Sequence, residues 1–403
     1  MEEIRIAIAC ELTPAKTFIP IIKKLKELEI EGKLNWKKSK IFGLTHGSGA
    51  YELIKPYCYQ TFSIGEGRGG GKVKRNNLEL ACLIAKDSIK ALSALSGKKI
   101  DLLITCGNAG DVRKSITAAK FLRIPVIHIE QDVYNPIETI AYSNLITVPQ
   151  EKYNDFLKNK YLINENNIKN IRGYPMAKYV NEYINSKKSI SKEELIEKYG
   201  FSDFILVVLG GDLKNSDLKN LINAIEKANF PTLIAPYRFK KELIENLVNS
   251  PKLKVLDEYV ELLTLVKSAP LMIYGAGMGM TIEAGVLETP SIKIAGFHEK
   301  HGSVDLANEL NIPILEINQI SKFLNSFNKS GIELINNKSN NGKIDSEMEI
   351  NVTKPDGKKL LENSQISIEK IIELINNFDL KNPPKNNGFK SMKAIWNQRA
   401  KYR

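Results

Sequence analysis

The sequence predicts an α/β protein made of two successive parallel-sheet domains. Three observations predict it. Short apolar runs alternate with segments of helical spacing from Ile4 to about Leu315. Several of those runs end in glycines or polar clusters, the residue types found at the ligand-binding edge of such sheets. A polar stretch, Asn185-Ser186-Lys187-Lys188-Ser189-Ile190-Ser191, divides the alternation in two. The domains read from this are 1–184, 192–330 and an extension over 331–403.

The first domain opens with an alternating apolar strand, Ile4 to Cys10. A loop, Glu11 to Thr17, precedes a helix over Phe18 to Leu28, with Pro20 near its start where proline is tolerated. Ser39 to Thr45 is the second strand and ends in His46-Gly47-Ser48-Gly49, with a helix from about Ala50 to Lys55. The run Gly65 to Arg75 is too glycine-rich for a regular element. It reads as a solvated spacer, or as a lid whose glycines and basic side chains suit phosphate. Asn77 to Leu95 is an amphipathic helix, and Ile100 to Thr105 a buried strand ending in Cys106-Gly107-Asn108-Ala109-Gly110-Asp111. A helix over Ser115 to Leu122 leads to the strand Pro125 to Ile129, followed directly by Glu130-Gln131-Asp132 and then by Asn135-Pro136-Ile137-Glu138. Leu145 to Val148 and Ile168 to Ile171 are further strands. Three strand ends in this half thus carry polar clusters.

In the second domain, the strand Phe204 to Leu209 ends in Gly210-Gly211-Asp212 before a helix over Ser216 to Ala228. Thr232 to Ala235 ends in Pro236-Tyr237-Arg238, and Leu253 to Leu256 in Asp257-Glu258-Tyr259. A helix over Val260 to Ser268 leads into Leu271 to Gly296, read as strand, glycine turn, short helix and strand. Gly275, Gly277 and Gly279 let the backbone approach a ligand without Cβ clashes. A helix starting after them would aim free N–H groups at a diphosphate, with Glu283 in its first turn reaching a ribose. The same residues equally describe a turn that packs a helix on a sheet.

The stretch from Asn336 to Ser346 reads as a disordered or extended insert. Ile366 to Phe378 is an amphipathic helix, and the basic segment Phe389 to Arg403 reads as a helix docking on the body, ahead of a membrane-surface segment. The net charge is +12, but the lysines are scattered and no aromatic RNA-binding pattern accompanies them, which excludes nucleic acid. No apolar run approaches the ~20 residues of a membrane span. The start Met1-Glu2-Glu3-Ile4-Arg5 runs straight into a strand without a signal-peptide pattern. Cys10, Cys58, Cys82 and Cys106 lack CxxC spacing. Reduced thiols in a cytoplasmic protein are expected, not a disulfide framework or zinc site.

Two α/β halves with glycine turns at their strand ends resemble the GT-B fold of nucleotide-sugar enzymes over roughly residues 4–325. The resemblance implies two Rossmann-like domains whose parallel sheets face a central cleft. Two families are similar. The peptidoglycan transferase that moves N-acetylglucosamine from UDP-GlcNAc to a lipid-linked muramyl acceptor has His-Glu-Gln-Asn after a strand, similar to His128-Ile129-Glu130-Gln131-Asp132. Its Gly-Ala-Gly turn and helix look like Gly275 to Glu283. That resemblance implies a diphosphate at Gly275, Gly277, Gly279 and Met280, a ribose on Glu283, and Gly210-Gly211 as the other donor-site turn. The UDP-GlcNAc 2-epimerases have a first loop similar to Thr13-Pro14-Ala15-Lys16 and a Gly-Asp segment similar to Cys106-Gly107-Asn108. Their His-Val-Glu and Pro-x-Glu look like His128-Ile129-Glu130 and Pro136-Ile137-Glu138, which implies Glu130 and Glu138 at the sugar C2. This chain departs from both: Glu11-Leu12-Thr13-Pro14 replaces the transferase's Gly-Gly-His loop, and the epimerases' first-loop arginine and Asp-Ser-Gly-Gly turn have no counterpart.

The leading expectation is a glycosyltransferase that moves a sugar, an N-acetylhexosamine, from a UDP-sugar to a lipid-linked or anionic acceptor. Glu11, His46, Asp111 and Glu130 are the candidate bases, and Arg238 and Lys293 the cations for the diphosphate. His298-Glu299-Lys300-His301 reads as a sugar or phosphate contact rather than a metal site, with His301 the named binding residue. His128 reads as a core histidine bonded to backbone. The first alternative is a 2-epimerase using Glu130 and Glu138. The second, motivated by the departures, is a non-catalytic nucleotide-sugar-binding protein. No cofactor or metal is expected, the UDP-sugar being substrate. A homodimer and a peripheral contact at the inner membrane face complete the expected associations.

Overall fold

The computed structural model describes residues 1–65, 77–187, 189–211, 213, 215–237, 239–257, 260–296, 300–330, 352–386 and 388–401. They form two compact units, Met1–Tyr179 with Leu360–Arg403, and Val180–Lys359. The loop expected over Gly65 to Arg75 (apart from Gly65), the insert over Asn336 to Ser346, Asp212, Arg238, Glu258-Tyr259, and His298-Glu299 lie outside the described residues.

The first unit contains β1 (Glu3–Ala9), α1 (Leu12–Ile30), β2 (Lys38–Thr45), α2 (Ser48–Ile54), β3 (Gln60–Ser63), α3 (Asn77–Leu95) and β4 (Leu102–Cys106). These are followed by α4 (Gly110–Leu122), β5 (Val126–Ile129), a 3₁₀ turn (Glu138–Tyr142), β6 (Leu145–Val148), α5 (Lys152–Tyr161), β7 (Ile168–Asn170) and α6 (Met176–Ser186), which carries the chain onward. Its strands pair in parallel in the order β3-β2-β1-β4-β5-β6-β7. Chain direction across the sheet therefore reverses between β1 and β4. That is the switch point where loops from neighbouring strands diverge and leave a crevice at the carboxyl edge. Apolar cores lie on alternate strand residues, Ile4, Ile6 and Ile8 in one and Ala7 and Ala9 in the other.

The second unit holds α7 (Lys192–Tyr199), β8 (Ile205–Val208), α8 (Leu218–Ala228), β9 (Thr232–Ala235), α9 (Lys241–Glu245), β10 (Leu253–Val255) and α10 (Leu262–Ser268). Then come β11 (Leu271–Tyr274), α11 (Met278–Leu287), β12 (Ser291–Ile294), α12 (Gly302–Glu309), β13 (Ile314–Leu315) and α13 (Ile317–Ser330). The parallel order is β10-β9-β8-β11-β12-β13, with its switch point between β8 and β11. α8 presents Leu218, Leu221, Ile222 and Ile225 to the core, each burial worth roughly 2 kcal/mol. The expected α/β class, with two Rossmann-like parallel sheets, is the one observed.

Two helices close the chain, α14 (Lys358–Asn376) and α15 (Phe389–Lys401). α14 buries Ile368, Ile371, Ile372 and Ile375 in the core that holds Ile4, Ile6 and Ile8. Asparagines latch the segment between them: Asn144 Nδ2 donates to the Pro384 carbonyl, Asn167 Nδ2 to Lys385 and Asn386 Nδ2 to Tyr142, at 2.9, 2.8 and 2.7 Å. α15 docks, as expected, through buried Ile395 and through Ser391 Oγ donating to the Leu162 carbonyl.

Several boundaries differ from the expectation. The loop Glu11 to Thr17 is helical, because α1 begins at Leu12 and Ala15 N–H closes its first turn on the Glu11 carbonyl at 2.8 Å. Pro14 sits where its missing N–H would have no acceptor anyway. Pro20 is then inside the helix, and its lost bond, about 3 kcal/mol, is offset by burial of Phe18, Ile19, Ile21, Ile22 and Leu25. α6 reaches Ser186, which shortens the polar connection, and Ser191 caps α7 in a capping box with Glu194. The strand β3 is unanticipated, being a polar, partly exposed edge strand.

Candidate active site

In the second unit the two glycine turns meet at the switch point. Gly210 follows β8 and Gly275 follows β11; a Cβ on Gly210 would stand 2.0 Å from the Gly275 carbonyl oxygen and 2.2 Å from Ala276 Cα. Gly210 is therefore required by backbone packing. Gly211 has open space around it, and a Cβ on Gly275 would make ordinary contacts of 3.4–3.5 Å. Gly277 is the N-cap of α11. The His301 ring lies over it, with Cε1 3.5 Å from where a Cβ would be. His301 Nδ1 accepts from Ser303 N–H at 3.1 Å, which leaves Nε2 as the protonated nitrogen of a neutral ring. Helix N–H groups and an imidazole donor thus converge at one turn, and the first helical N–H groups have no intrahelical acceptor.

Beneath the turn lies a buried cation. Lys293, on β12 and 1% exposed, donates from Nζ to the Ala276 carbonyl at 2.8 Å and lies 5.4 Å over the Tyr274 ring. The lysine expected as a cation for the diphosphate holds the turn's own carbonyl. Tyr274 Oη donates to Thr281 Oγ1 at 3.1 Å, and burial pushes the Tyr274 phenol well up. α11 begins at Met278, two residues earlier than expected, because Gly277 takes the cap position. Glu283 consequently falls in the second turn, not the first, and is only 3% exposed. Gly279 and Met280 fall within the first turn.

In the first unit the carboxyl edge carries titratable groups. Glu11 follows β1, His46 follows β2, Asp111 lies in the first turn of α4 after β4, and Glu130 follows β5. Glu11, His46 and Asp111 gather, each offering a donor atom within 4.8 Å of the others'. His46 Nδ1 is 3.7 Å from Glu11 Oε1. On the other side of that ring, Nε2 lies 3.9 Å from Asp87 Oδ2 and 3.4 Å from Lys114 Nζ, and Lys114 pairs with Asp87 at 2.5 Å. Asp111 Oδ1 accepts the Val112 N–H at 2.8 Å. Burial, followed by the Glu11 charge, holds the Asp111 carboxyl well above the usual carboxylate range. Gly65 packs its backbone on Asp87, where a Cβ would stand 2.0 Å from Oδ1.

Glu130 is fully engaged. Its Oε1 accepts Gln131 and Asp132 N–H groups at 2.9 and 2.8 Å, and its Oε2 is 3.3 Å from His128 Nε2. His128 is a core residue, as expected, but its ring nitrogens meet side chains and not backbone: Nδ1 is 2.8 Å from Thr105 Oγ1, and Nε2 faces Glu130. Glu138 is clamped by Arg113 in a bidentate pair at 2.6 and 3.0 Å. Sequence reasoning missed Asp87, Lys114 and Arg113. Asp87 and Lys114 carried a faint signal, being charges at buried positions of α3 and α4.

No protein-family model and no curated protein sequence matches the chain. Solved structures do match it in shape. UDP-GlcNAc 2-epimerase from Neisseria meningitidis bound to UDP-GlcNAc aligns with a TM-score of 0.63 at 14% identity, over 93% of this chain and 100% of that one. The fold is that of the solved UDP-GlcNAc 2-epimerases. The Methanocaldococcus jannaschii epimerase in complex with UDP-GlcNAc and UDP gives 0.56 at 18% identity, over 99% and 100% of the two chains. The Rickettsia bellii epimerase gives 0.61 at 16% identity, over 93% and 96%. The epimerase-like fold thus extends over both units, and at these identities the likeness is one of fold. Among the described residues no helix is long and apolar enough to cross a membrane.

Proposed function

We propose that the protein is a 2-epimerase acting on a UDP-N-acetylhexosamine without an acceptor. The observation that carries this reading is the glycine turn at the second unit's switch point, where Gly277, the start of α11 and His301 present hydrogen-bond donors. A nucleotide diphosphate is the ligand that such donors suit. Lys293 supports the turn from below and adds positive potential there. The match in shape to epimerases solved with UDP-GlcNAc supports the same substrate. In this reading the first unit supplies the chemistry at the sugar. Inversion at C2 needs a base that takes the C2 proton while the freed electron pair forms a C1–C2 double bond and expels UDP from C1. UDP, held in the site, then returns to C1 as a proton is delivered to the opposite face of C2. Glu130, fixed by two backbone N–H groups and His128, is assigned to the proton transfer. Glu138, oriented by Arg113, is the second carboxylate.

The test is incubation with UDP-GlcNAc alone in deuterated water, followed by proton NMR. The expected result is a C2-epimeric UDP-sugar carrying deuterium at C2, with Glu130→Gln abolishing exchange while UDP still binds. Bound but unchanged UDP-GlcNAc overturns the reading in favour of a transferase. That second reading is favoured by the outer face of α15, where Phe389 and Trp396 are exposed beside Lys390 and Lys393. Such a face suits a membrane holding a lipid-linked acceptor.

A further inference from the structure

We propose that Glu11, His46 and Asp111 bind a divalent first-row transition-metal ion, of the manganese or zinc class, at the first unit's switch point. The sequence alone gives no reason to expect it, because the three ligands follow three different strands. Their donor atoms lie within 4.8 Å of one another, and the His46 Nδ1 to Glu11 Oε1 separation is 3.7 Å. Two donors each about 2.1 Å from a metal, at a tetrahedral angle, lie about 3.4 Å apart. The His46–Glu11 pair lies close to that spacing, and the half-exposed Glu11 side chain can close the difference.

The second observation is unsatisfied chemistry. His46 Nδ1 and Asp111 Oδ2 are buried and have no hydrogen-bond partner among the described residues. The residues themselves are 6% and 0% exposed. Buried polar atoms of this kind are rarely left without a partner. Both belong to the three-residue cluster. The other atom of each group is already engaged: Asp111 Oδ1 takes the Val112 N–H, and the far nitrogen of His46 lies 3.4 Å from Lys114 Nζ and 3.9 Å from Asp87 Oδ2. Charge points the same way. Three carboxylates, Glu11, Asp87 and Asp111, face one ammonium, Lys114, which is itself paired with Asp87. Lys114 lies near enough to Asp111 to favour its charged form, but the Glu11 charge opposes it more strongly, and a divalent ion would offset that repulsion.

The donor set selects the metal. One imidazole with two carboxylates suits manganese, iron or zinc, whereas calcium and magnesium favour oxygen ligands alone. Glu11 is 46% exposed in its side chain, so the site is open to solvent on that side and retains positions for water or a substrate oxygen. The site does not depend on the reaction proposed above, since it is defined by this unit's own residues and is testable without any nucleotide sugar.

The experiment uses the full chain, stripped with a chelator and titrated with Mn²⁺ while the electron paramagnetic resonance signal of the free ion is followed. One ion per chain is expected to leave the free pool at micromolar concentration. Asp111→Asn, nearly isosteric, is expected to weaken binding at least 100-fold. A second measurement guards against misfolded variants. The chain has four histidines, so imidazole NMR signals are few, and Mn²⁺ is expected to broaden those of His46 before those of His301. Absence of binding to Mn²⁺ and to Zn²⁺, unchanged affinity in Asp111→Asn, or broadening centred on another histidine would overturn the site.

Discussion

The two units place loops at the same point of the same kind of sheet, yet furnish them with opposite chemistry. At the β8–β11 switch point of the second unit the chain offers donors: the N–H groups at the start of α11, the His301 imidazole and the buried Lys293 ammonium beneath. At the β1–β4 switch point of the first unit it offers acceptors: Glu11, Asp111 and a histidine nitrogen, with Glu130 on the adjacent strand. Parallel-sheet topology fixes where a site can be, because it fixes where loops diverge. The side chains decide what the site holds: an anion at the donor edge, a cation or a proton at the acceptor edge.

The largest effect is expected where the donor edge rests on bare backbone. Gly210→Ala places a methyl 2.0 Å from the Gly275 carbonyl oxygen, with backbone on both sides and no flexible side chain to yield. A cost of about 3 kcal/mol in stability is expected, with loss of UDP binding. Gly211→Ala, with nothing within 4 Å, serves as the control and should melt like the parent. Equal melting temperatures for the two variants would show that the turns are not interlocked.

The first unit's acceptor edge should break more gently. Arg113→Ala leaves Glu138 without its bidentate partner, at side-chain exposures of 22% and 11% for the pair. Removing one partner of a buried pair costs 3–5 kcal/mol, and partial solvation reduces this to about 2. The double variant with Glu138→Ala should recover much of the loss, and denaturation of all four proteins gives the coupling. A smaller effect is expected from Lys293→Met, which keeps the side chain's bulk but removes the ammonium from Ala276. UDP affinity should fall about tenfold, or 1.4 kcal/mol, by calorimetry. An unchanged affinity would mean that the lysine only props the turn.

How much of this was legible in the sequence follows from the range of each interaction. Strand and helix order was legible because period and glycine placement are local, so Gly275 and Gly277 could be singled out from their own neighbours. The α1 boundary was misplaced because Pro14 was read as a loop residue although a first helical turn accepts it. The cluster around His46 was legible only as a roster of candidates. Glu11, His46 and Asp111 are each at a strand end, but nothing in their spacing says that they meet. Asp87 and Lys114, 27 residues apart on two helices, are joined only by the packing of α3 on α4. Lys293 was read as a cation for the diphosphate, but its bond to the Ala276 carbonyl was not legible, since it joins two strand ends 17 residues apart. The asparagines that latch residues 384–386 read as polar filler, because their acceptors lie more than 200 residues away.

The finest comparison of the two units comes from cysteine. Cys10, Cys58, Cys82 and Cys106 all lie in the first unit, so thiol chemistry reports on that unit alone. Cys82 is exposed and should label first. Burial pushes the Cys58 thiol up to about 11, so at pH 8 only about one molecule in a thousand carries the reactive thiolate. Its labelling should quicken about tenfold per pH unit until that value is passed. Because the folded thiol is harder to ionise than the unfolded one at 9.0, its contribution to stability is complete below pH 9 and is lost as the pH rises towards 11. Cys10 follows β1 and Cys106 ends β4 on either side of the switch point, fully buried, with both thiols raised by desolvation first. They should label only when the acceptor edge opens. Mn²⁺ bound at Glu11, His46 and Asp111 ties the ends of those strands to β2 and should slow these two further, leaving Cys82 unaffected. Mass spectrometry of timed alkylation separates the four sites. Labelling of Cys10 and Cys106 at the Cys82 rate would mean that the first unit's switch point is open in solution, and the contrast with the packed glycine turns of the second unit would then be one of stability as well as of charge.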